Sequence, residues 1–554
     1  MLTRRTFLGT AAACAVTANA ATTAGRRVLR EFDYSQVRLT TGPMAEMYRR
    51  TQAHFLKLDE DRLLKVYRQR AGMVAPGLDM GGWYDGEGFV PGHLLGQFIS
   101  GLSRLHACTG DTEAAAKVRR LVAGYGETFE RDGKPYASAK ASTWACYILD
   151  KYEIGLLDAA NLAGVDSARG LLPRVIEAAT RTIPDHTFDR IGVKNPPYDE
   201  PFVLPENLFN TYALTGDSRY LDLAKRYLLD EYFDPLARGE NVLPSKHGYS
   251  HIIALSSAAK AYEVLGDPKY LRAIRNAWDM LADGQQFASG AWAPQEMFVK
   301  PHSGELAASL TATRDHFETP CCFYAHQKLA RYLTSFSGES KYGDGLERLL
   351  FNTILGALDP DDDGGYFYYS DYQARAHKGY YKQKWPCCAG TLLQSVADYP
   401  LGVYFGDGRD ICVNLYAGSE LNANGVRLVQ ETDYPASERI VLRVEPEKAQ
   451  SFGVHLRIPS WLEKQPEVLV NGRKTVVGAL PGGWATIRRQ WKKGDRIELT
   501  LPFTLRREPI DKSQPDLFAL MNGPLMMVEV DSPDLRPFYQ VQRETYTTYM
   551  RAAG

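Results

Sequence analysis

Leu214-Thr-Gly-Asp217 closes one helical pattern and opens the next. The same joint stands at Ala107-Cys-Thr-Gly-Asp111, Leu265-Gly-Asp267 and Phe336-Ser-Gly-Glu339, with Asn161-Leu-Ala-Gly164 as a variant. Glycine supplies the left-handed residue that ends a helix, and the acidic side chain after it accepts from the free N–H groups of the next one. The glycines at 110, 164, 216 and 266 recur every 50 to 54 residues, and Gly338 follows after 72. A repeat of that length holds one helix pair, so the stretch from about Met44 to about Tyr404 predicts a toroid of paired helices. The long final interval contains Glu305, Glu318 and Cys321.

Beyond Gly402 the apolar period changes to two. Val413–Tyr416, Arg427–Val429, Ile440–Val444, Gly453–Ile458, Val468–Val470, Trp484–Ile487 and Arg496–Leu501 read as short strands. Turn residues such as Val470-Asn-Gly-Arg473 and Lys493-Gly-Asp495 separate them, which predicts an antiparallel β-sandwich. The remaining chain, to Gly554, is expected to finish that sheet and return to the barrel. At 554 residues the chain exceeds one core. The expected division is residues 1–20 as an export signal, 21–404 as the helical domain and 405–554 as the sandwich.

The signal rests on Arg4-Arg5-Thr-Phe-Leu-Gly9, a twin-arginine segment, followed by small apolar residues and Ala18-Asn-Ala20. It predicts a periplasmic or secreted protein, exported already folded. A formal net charge of −1 with no long basic block argues against nucleic acid as a partner. No later window of eighteen apolar residues occurs, so no membrane span is expected. Aromatic content of 11%, with 32 Tyr and 8 Trp, suits stacking against sugars or large cores.

Two Cys-Cys pairs stand out, in Asp315-His-Phe-Glu-Thr-Pro-Cys-Cys322 and Lys384-Trp-Pro-Cys-Cys-Ala-Gly-Thr391. With eight cysteines in 554 residues, chance would leave only about a tenth of an adjacent pair. Thiolates and a carboxylate drawn from two segments make a candidate zinc site, because zinc accepts sulfur and oxygen ligands in a tetrahedral shell. The plain alternative is buried thiols or vicinal disulfides. Loss of Cys14 with the signal leaves seven cysteines, and an odd number fits thiols or a metal better than a set of bridges. Asp359-Pro-Asp-Asp-Asp-Gly364 lacks the Glu a calcium loop needs at its twelfth position, where Ser370 stands, and reads as a solvated turn.

Pro91-Gly-His-Leu-Leu-Gly-Gln-Phe-Ile-Ser-Gly-Leu-Ser103, Tyr249-Ser-His-Ile252, Glu318-Thr-Pro-Cys321, the stretch from Tyr342 to Thr353 and Trp385-Pro-Cys-Cys-Ala-Gly-Thr391 together resemble glycoside hydrolase family 127, the bacterial β-L-arabinofuranosidase group. The likeness implies an (α/α)6 barrel followed by β-sandwich material, and a Zn2+ held by one Glu and three Cys. It assigns Glu318, Cys321, Cys387 and Cys388 as metal ligands, with Cys387 also the nucleophile. Pro320 stands where the family pattern goes from Thr directly to Cys. Proline suits a first helical turn, which puts Cys321 in that turn and turns Cys322 about 100° away into the core.

For the acid/base, Glu296 and Glu305 both match, with Glu296 slightly preferred. His251, His93, Tyr368 and Tyr369 match pocket positions. Asp150 takes the place of a family histidine, and Tyr198-Asp-Glu200 stands near where another is expected, so the pocket would bind a different set of hydroxyls.

The implied activity is that of an exported, zinc-dependent retaining exo-glycosidase releasing β-L-arabinofuranose or a related sugar from plant-type glycans, an oligosaccharide or glycoside substrate, through a cysteine nucleophile and a glutamate acid/base. Alternatives are a two-carboxylate glycosidase or polysaccharide lyase on the same toroid, or a non-catalytic glycan-binding protein with structural zinc.

Overall fold

The computed structural model describes residues 26–190, 198–312, 319–358, 366–367, 380–381, 385–530 and 546–551. The signal segment, Glu318, Tyr368, Tyr369 and the 359–364 turn lie outside them.

Among the described residues six inner helices, Leu95–Thr109, Ala145–Asn161, Pro205–Thr215, Gly248–Leu265, Pro320–Ser337 and Cys388–Ala397, each pack against the next, and the last packs against the first. The ring is closed: this is the (α/α)6 barrel. Each inner helix carries an outer partner: in order Thr112–Asp132, Asp166–Ala179, Ser218–Arg226, Pro268–Gly284, Lys341–Asn352 and, for the last, Gly42–Lys57. The sequence explains the layering. Cys388–Ala397 is buried on every side and carries no charge, whereas Ser218–Arg226 buries only Tyr220 and Ala224.

The repeated joints form as the sequence predicts. Gly110, Gly216, Gly266 and Gly338 take left-handed φ values of 73°, 72°, 80° and 70°. Asp111, Asp217 and Asp267 then accept from backbone N–H groups of the following helices. The 338 joint differs: Ser340 precedes its next helix without a side-chain cap, and Glu339 pairs with Arg275 instead.

Glycines also decide how closely the inner helices approach. A methyl group at Gly96 would collide with the Lys151 carbonyl oxygen, and one at Gly390 with Gln97. The glycines of the Pro91–Ser103 and Trp385–Thr391 motifs are thus packing requirements, and they bring the cysteine segment against its neighbour.

At the base of the ring Asp398, fully buried, accepts from Tyr34 Oη at 2.7 Å, Arg331 Nη1 at 2.7 Å and Arg104 Nη1 at 3.1 Å. Burial alone would raise its carboxyl, but the two guanidinium groups outweigh that and hold it below its ordinary value. A depressed folded value means stability that is present above the ordinary carboxylate range and lost as pH falls through the folded one. Asp398→Asn is therefore expected to lower stability by about 2–3 kcal/mol at pH 7, because Arg104 and Arg331 each lose one of two carboxylate partners and keep only Asp158 and Glu31. Denaturant midpoints compared at pH 7 and pH 4 check this, and the gap between variant and wild type should narrow at the lower pH.

The β region is built on two sheets. One runs Arg30–Glu31, Tyr404–Gly406, Ile411–Val413, Gln450–Ile458, Gly483–Trp491; the other runs Arg473–Lys474, Glu467–Val470, Asp495–Thr500, Arg439–Pro446, Val426–Thr432, Ser419–Ala423, Val37–Leu39. Pairing is antiparallel except between Gln450–Ile458 and Ile411–Val413. The Asn471-Gly472 turn takes φ values of 53° and 74°, as a two-residue hairpin needs.

Two expectations are corrected. Residues 30–31 and 37–39, placed with the barrel in the 21–404 division, are edge strands of the sandwich, where they cap exposed sheet edges. From Leu505 on the chain returns to the barrel as expected, but among the described residues it adds no strand to the sandwich. Leu505–Pro509, Leu517–Asn522, Leu525–Met527 and Tyr549–Arg551 form a separate sheet, whose Leu517, Met521 and Tyr549 pack on Phe287, Leu306 and Leu310 of the barrel.

The barrel and sandwich are joined through the Tyr342–Thr353 motif. Arg457, fully buried on its sandwich strand, pairs with Asp344 and with Glu347 Oε1 at 2.5 Å. Tyr434 Oη and Trp461 Nε1 also donate to Glu347, at 2.7 and 2.9 Å. A side chain at Gly343 would strike Asn414 and Arg457, which accounts for that glycine.

Candidate active site

Cys387 precedes the first turn of Cys388–Ala397, behind the buried Trp385, whose φ of 45° is rare for a bulky residue. Across from it Pro320–Ser337 begins. Thr319 caps that helix by accepting from Cys322 N at 3.3 Å, and Pro320 and Cys321 occupy its opening turn.

The three sulfurs meet: Cys321 Sγ lies 3.2 Å from Cys387 Sγ and 3.4 Å from Cys388 Sγ, and the latter two are 3.9 Å apart. Thr391 Oγ1, one turn along, sits 3.2 Å from Cys321 Sγ. Cys322 stays out of the cluster and faces Gly248, as expected for a core thiol.

The donor set suits a metal. A tetrahedral ion with bonds of about 2.3 Å to sulfur spaces its sulfurs about 3.8 Å apart, close to the separations found. Hydrogen bonds from Cys321 and Cys388 hold Cys387 well below the ordinary thiol range, while burial pushes Cys321 and Cys388 up. Cys387 is also the least buried of the three.

Cys387 and Cys321 open onto a pocket of about 230 Å³. Glu296 stands on its wall, in a turn where Ala293, Gln295 and Glu296 take φ values of 63°, 55° and 63°. Such non-glycine residues each cost on the order of 1 kcal/mol and persist where packing over-determines them. His247 caps Gly248–Leu265 by accepting from Ser250 N at Nδ1, so the neutral ring carries its proton on Nε2, which lies 3.5 Å from Glu296 Oε2. On its other side Nδ1 is 3.7 Å from Glu200 Oε1, and Glu200 pairs with Arg190. His93 is fully buried on the pocket floor, with Nδ1 donating to Val90 O; burial lowers its pKa to about 4, so it is neutral at ordinary pH. Trp83, Phe89 and Trp144 form an aromatic side.

The predicted residues separate into three groups. Cys387, Cys321, Glu296 and His93 line one pocket, with Cys388 completing the cluster behind them. Glu305, Asp150 and His251 do not line it. Glu305 is exposed at the start of its own helix, accepting from Lys300 N at 2.9 Å, so of the two glutamates only Glu296 lines the pocket. Asp150 is one layer back: it binds Lys151 Nζ at 2.8 Å, and Lys151 donates to Tyr249 Oη, which does face the pocket. His251 lies a turn beyond His247, its Nε2 2.8 Å from Asp189 Oδ1 and its ring against Phe202 and Tyr232. Glu318, Tyr368 and Tyr369 form the third group, outside the described residues.

Sequence reading missed His247, Arg190 and the aromatic side. His247 caps its helix although histidine is not among the usual capping residues, so no local signal marked it. Nothing local marks Arg190 or Trp83.

A closed ring of helix pairs with buried thiols, a carboxylate and aromatic rings converging at one pocket describes a carbohydrate-active hydrolase. Residues 36–401 match the GH127 catalytic domain of β-L-arabinofuranosidases and residues 410–503 their middle domain, so the chain belongs to glycoside hydrolase family 127. Among solved structures, a GH127 β-arabinofuranosidase is similar at 18% identity with a TM-score of 0.73, each chain covered to 95%. The GH127 β-L-arabinofuranosidase of Geobacillus stearothermophilus T6 is similar at 17% identity with a TM-score of 0.70, covering 93% of this chain and 99% of that one. No curated protein matches the sequence.

Proposed function

We propose that this glycoside hydrolase is a retaining exo-glycosidase releasing β-L-arabinofuranose or a close relative, with Cys387 as nucleophile and Glu296 as acid/base. The observation that carries this reading is the opening of Cys387 and Glu296 onto one small pocket, with Cys321 beside Cys387 and Cys388 behind it. At about 230 Å³ the pocket is smaller than the roughly 300–1,000 Å³ of sites for larger ligands, which favours one terminal sugar ring over a chain crossing the site.

In the first step Cys387 sulfur bonds to the anomeric carbon as the C–O bond to the leaving group breaks, and Glu296 gives that oxygen its proton. In the second, Glu296 takes a proton from water, whose oxygen displaces the sulfur on the same face, so configuration is retained. His247, with its proton on Nε2, steadies Glu296 between these states. The aromatic side offers flat apolar faces to the ring.

Zinc, held by Glu318, Cys321, Cys387 and Cys388, would keep those thiols deprotonated at neutral pH. Export through the twin-arginine segment belongs to the same proposal, since a chain folded before export keeps thiols reduced. The seven cysteines from Cys108 to Cys412 are all free.

A screen of aryl furanosides and pyranosides, with metal content measured on the same sample, tests the reading. We expect about one zinc per chain and turnover confined to the β-L-arabinofuranoside group. Full activity after complete zinc removal would sink the thiolate mechanism.

A further inference from the structure

We infer that the buried pair Arg190–Glu200 is the specificity-determining element of the pocket, reading two adjacent hydroxyls of the sugar held over Cys387. The inference rests on the exo-glycosidase reading above and adds the part of the sugar that is recognised.

Both residues line the pocket although Arg190 is only 7% and Glu200 1% exposed. Their ion pair uses one atom from each side, Nη1 and Oε1. Arg190 Nε is buried and has no hydrogen-bond partner among the described residues. Buried donors in folded proteins are satisfied almost without exception, so one left open on a pocket wall calls for a ligand acceptor. Glu200 meets Arg190 and His247 through Oε1, and a carboxylate has about four acceptor sites, so it keeps room to accept from a ligand. One wall therefore presents an open donor beside an open acceptor.

The couple is held rigidly. Arg190 lies 5.4 Å from the centroid of the Trp144 ring, which stacks on Tyr198. Glu200 N donates to Asp199 Oδ1, and Asp199 also binds the N–H groups of Cys146 and Tyr147.

A hydroxyl can both give and accept, so two neighbouring hydroxyls match such a couple, one donating to the Glu200 carboxylate and the other accepting from Arg190 Nε–H. A sugar carboxylate does not match: the pair is neutral overall, and Glu200 and Glu296 already place two carboxylates in the pocket. The substrate class is thus a neutral sugar with an unsubstituted vicinal diol, not a uronic acid or an O-methylated ring.

The test compares kcat/KM for an aryl β-L-arabinofuranoside and its 2-deoxy and 3-deoxy counterparts. A buried hydrogen-bonding site discriminates strongly against a missing hydroxyl, so we expect the wild type to prefer the parent by at least about 10³-fold. Arg190→Met/Glu200→Gln removes both charges together and leaves no unpaired buried ion. In that variant the parent should lose at least about 10²-fold and each deoxy compound, with one of the two hydroxyls still to lose, about tenfold or less, so the preference narrows at least about tenfold. A thermal midpoint measured on the same sample separates this from unfolding. An unchanged preference in the folded variant would overturn the inference and leave the pair a structural staple.

Calorimetric binding of free L-arabinose and its deoxy forms to the wild type repeats the comparison without turnover. Failure of hydrolysis with preserved preference in binding would count against the mechanism alone, whereas equal affinity, or none for any of them, would overturn the diol reading.

Discussion

Cys387→Ala is expected to lower kcat on an aryl β-L-arabinofuranoside by at least about 10⁴-fold while leaving a folded protein. The size follows from the site. Cys387 is the only one of the three clustered sulfurs that is not fully buried, and hydrogen bonding by its neighbours settles the charge on it. The other thiol on the pocket wall, Cys321, is buried and held up as the neutral form. Near-UV circular dichroism and metal content measured beside the kinetics separate lost chemistry from lost structure. A variant within tenfold of wild type would eliminate Cys387 as nucleophile and favour catalysis by two carboxylates.

Glu296→Gln should lower turnover by about 10²–10⁴-fold on a phenyl leaving group, the range for one general acid, and by less on a dinitrophenyl group that leaves without a proton. Added azide should restore release from the trapped sugar and yield a glycosyl azide of retained configuration, since the attacking anion needs no base. Glu305→Gln should stay within about twofold of wild type, because that carboxylate is exposed and caps its own loop. The opposite pattern between the two glutamates would overturn the assignment.

Much of the fold was legible along the chain because it is encoded locally. Gly216 with Asp217, and Gly266 with Asp267, specify a helix end and a helix start within a few residues. The strands after Gly402 follow from alternation and from turns such as Asn471-Gly472. The edge strands at 30–31 and 37–39 were not legible, since two or three residues carry no period and their partners lie more than 370 residues away. The separate C-terminal sheet escaped for a similar reason: its apolar face is matched to Phe287 and Leu310, not to the preceding strands.

The site divides along the same line. The paired cysteines and the family resemblance brought Cys321, Cys387 and Cys388 together, and Pro320 in a first helical turn sent Cys322 into the core. His251 was read as a pocket residue while His247 was missed, and Asp150 was put in the pocket rather than behind Lys151, because one helical turn or one residue of rotation decides which side chain reaches a cavity.

By itself the sequence determined the helix pairs, the strands and the thiols able to share one charge or one metal, since residue type and short spacing suffice for these. Only the tertiary structure decided which glutamate stands in the pocket and that Arg190 and Glu200 share its wall. Those positions depend on where segments remote in the chain converge, and convergence is set by packing across the closed ring.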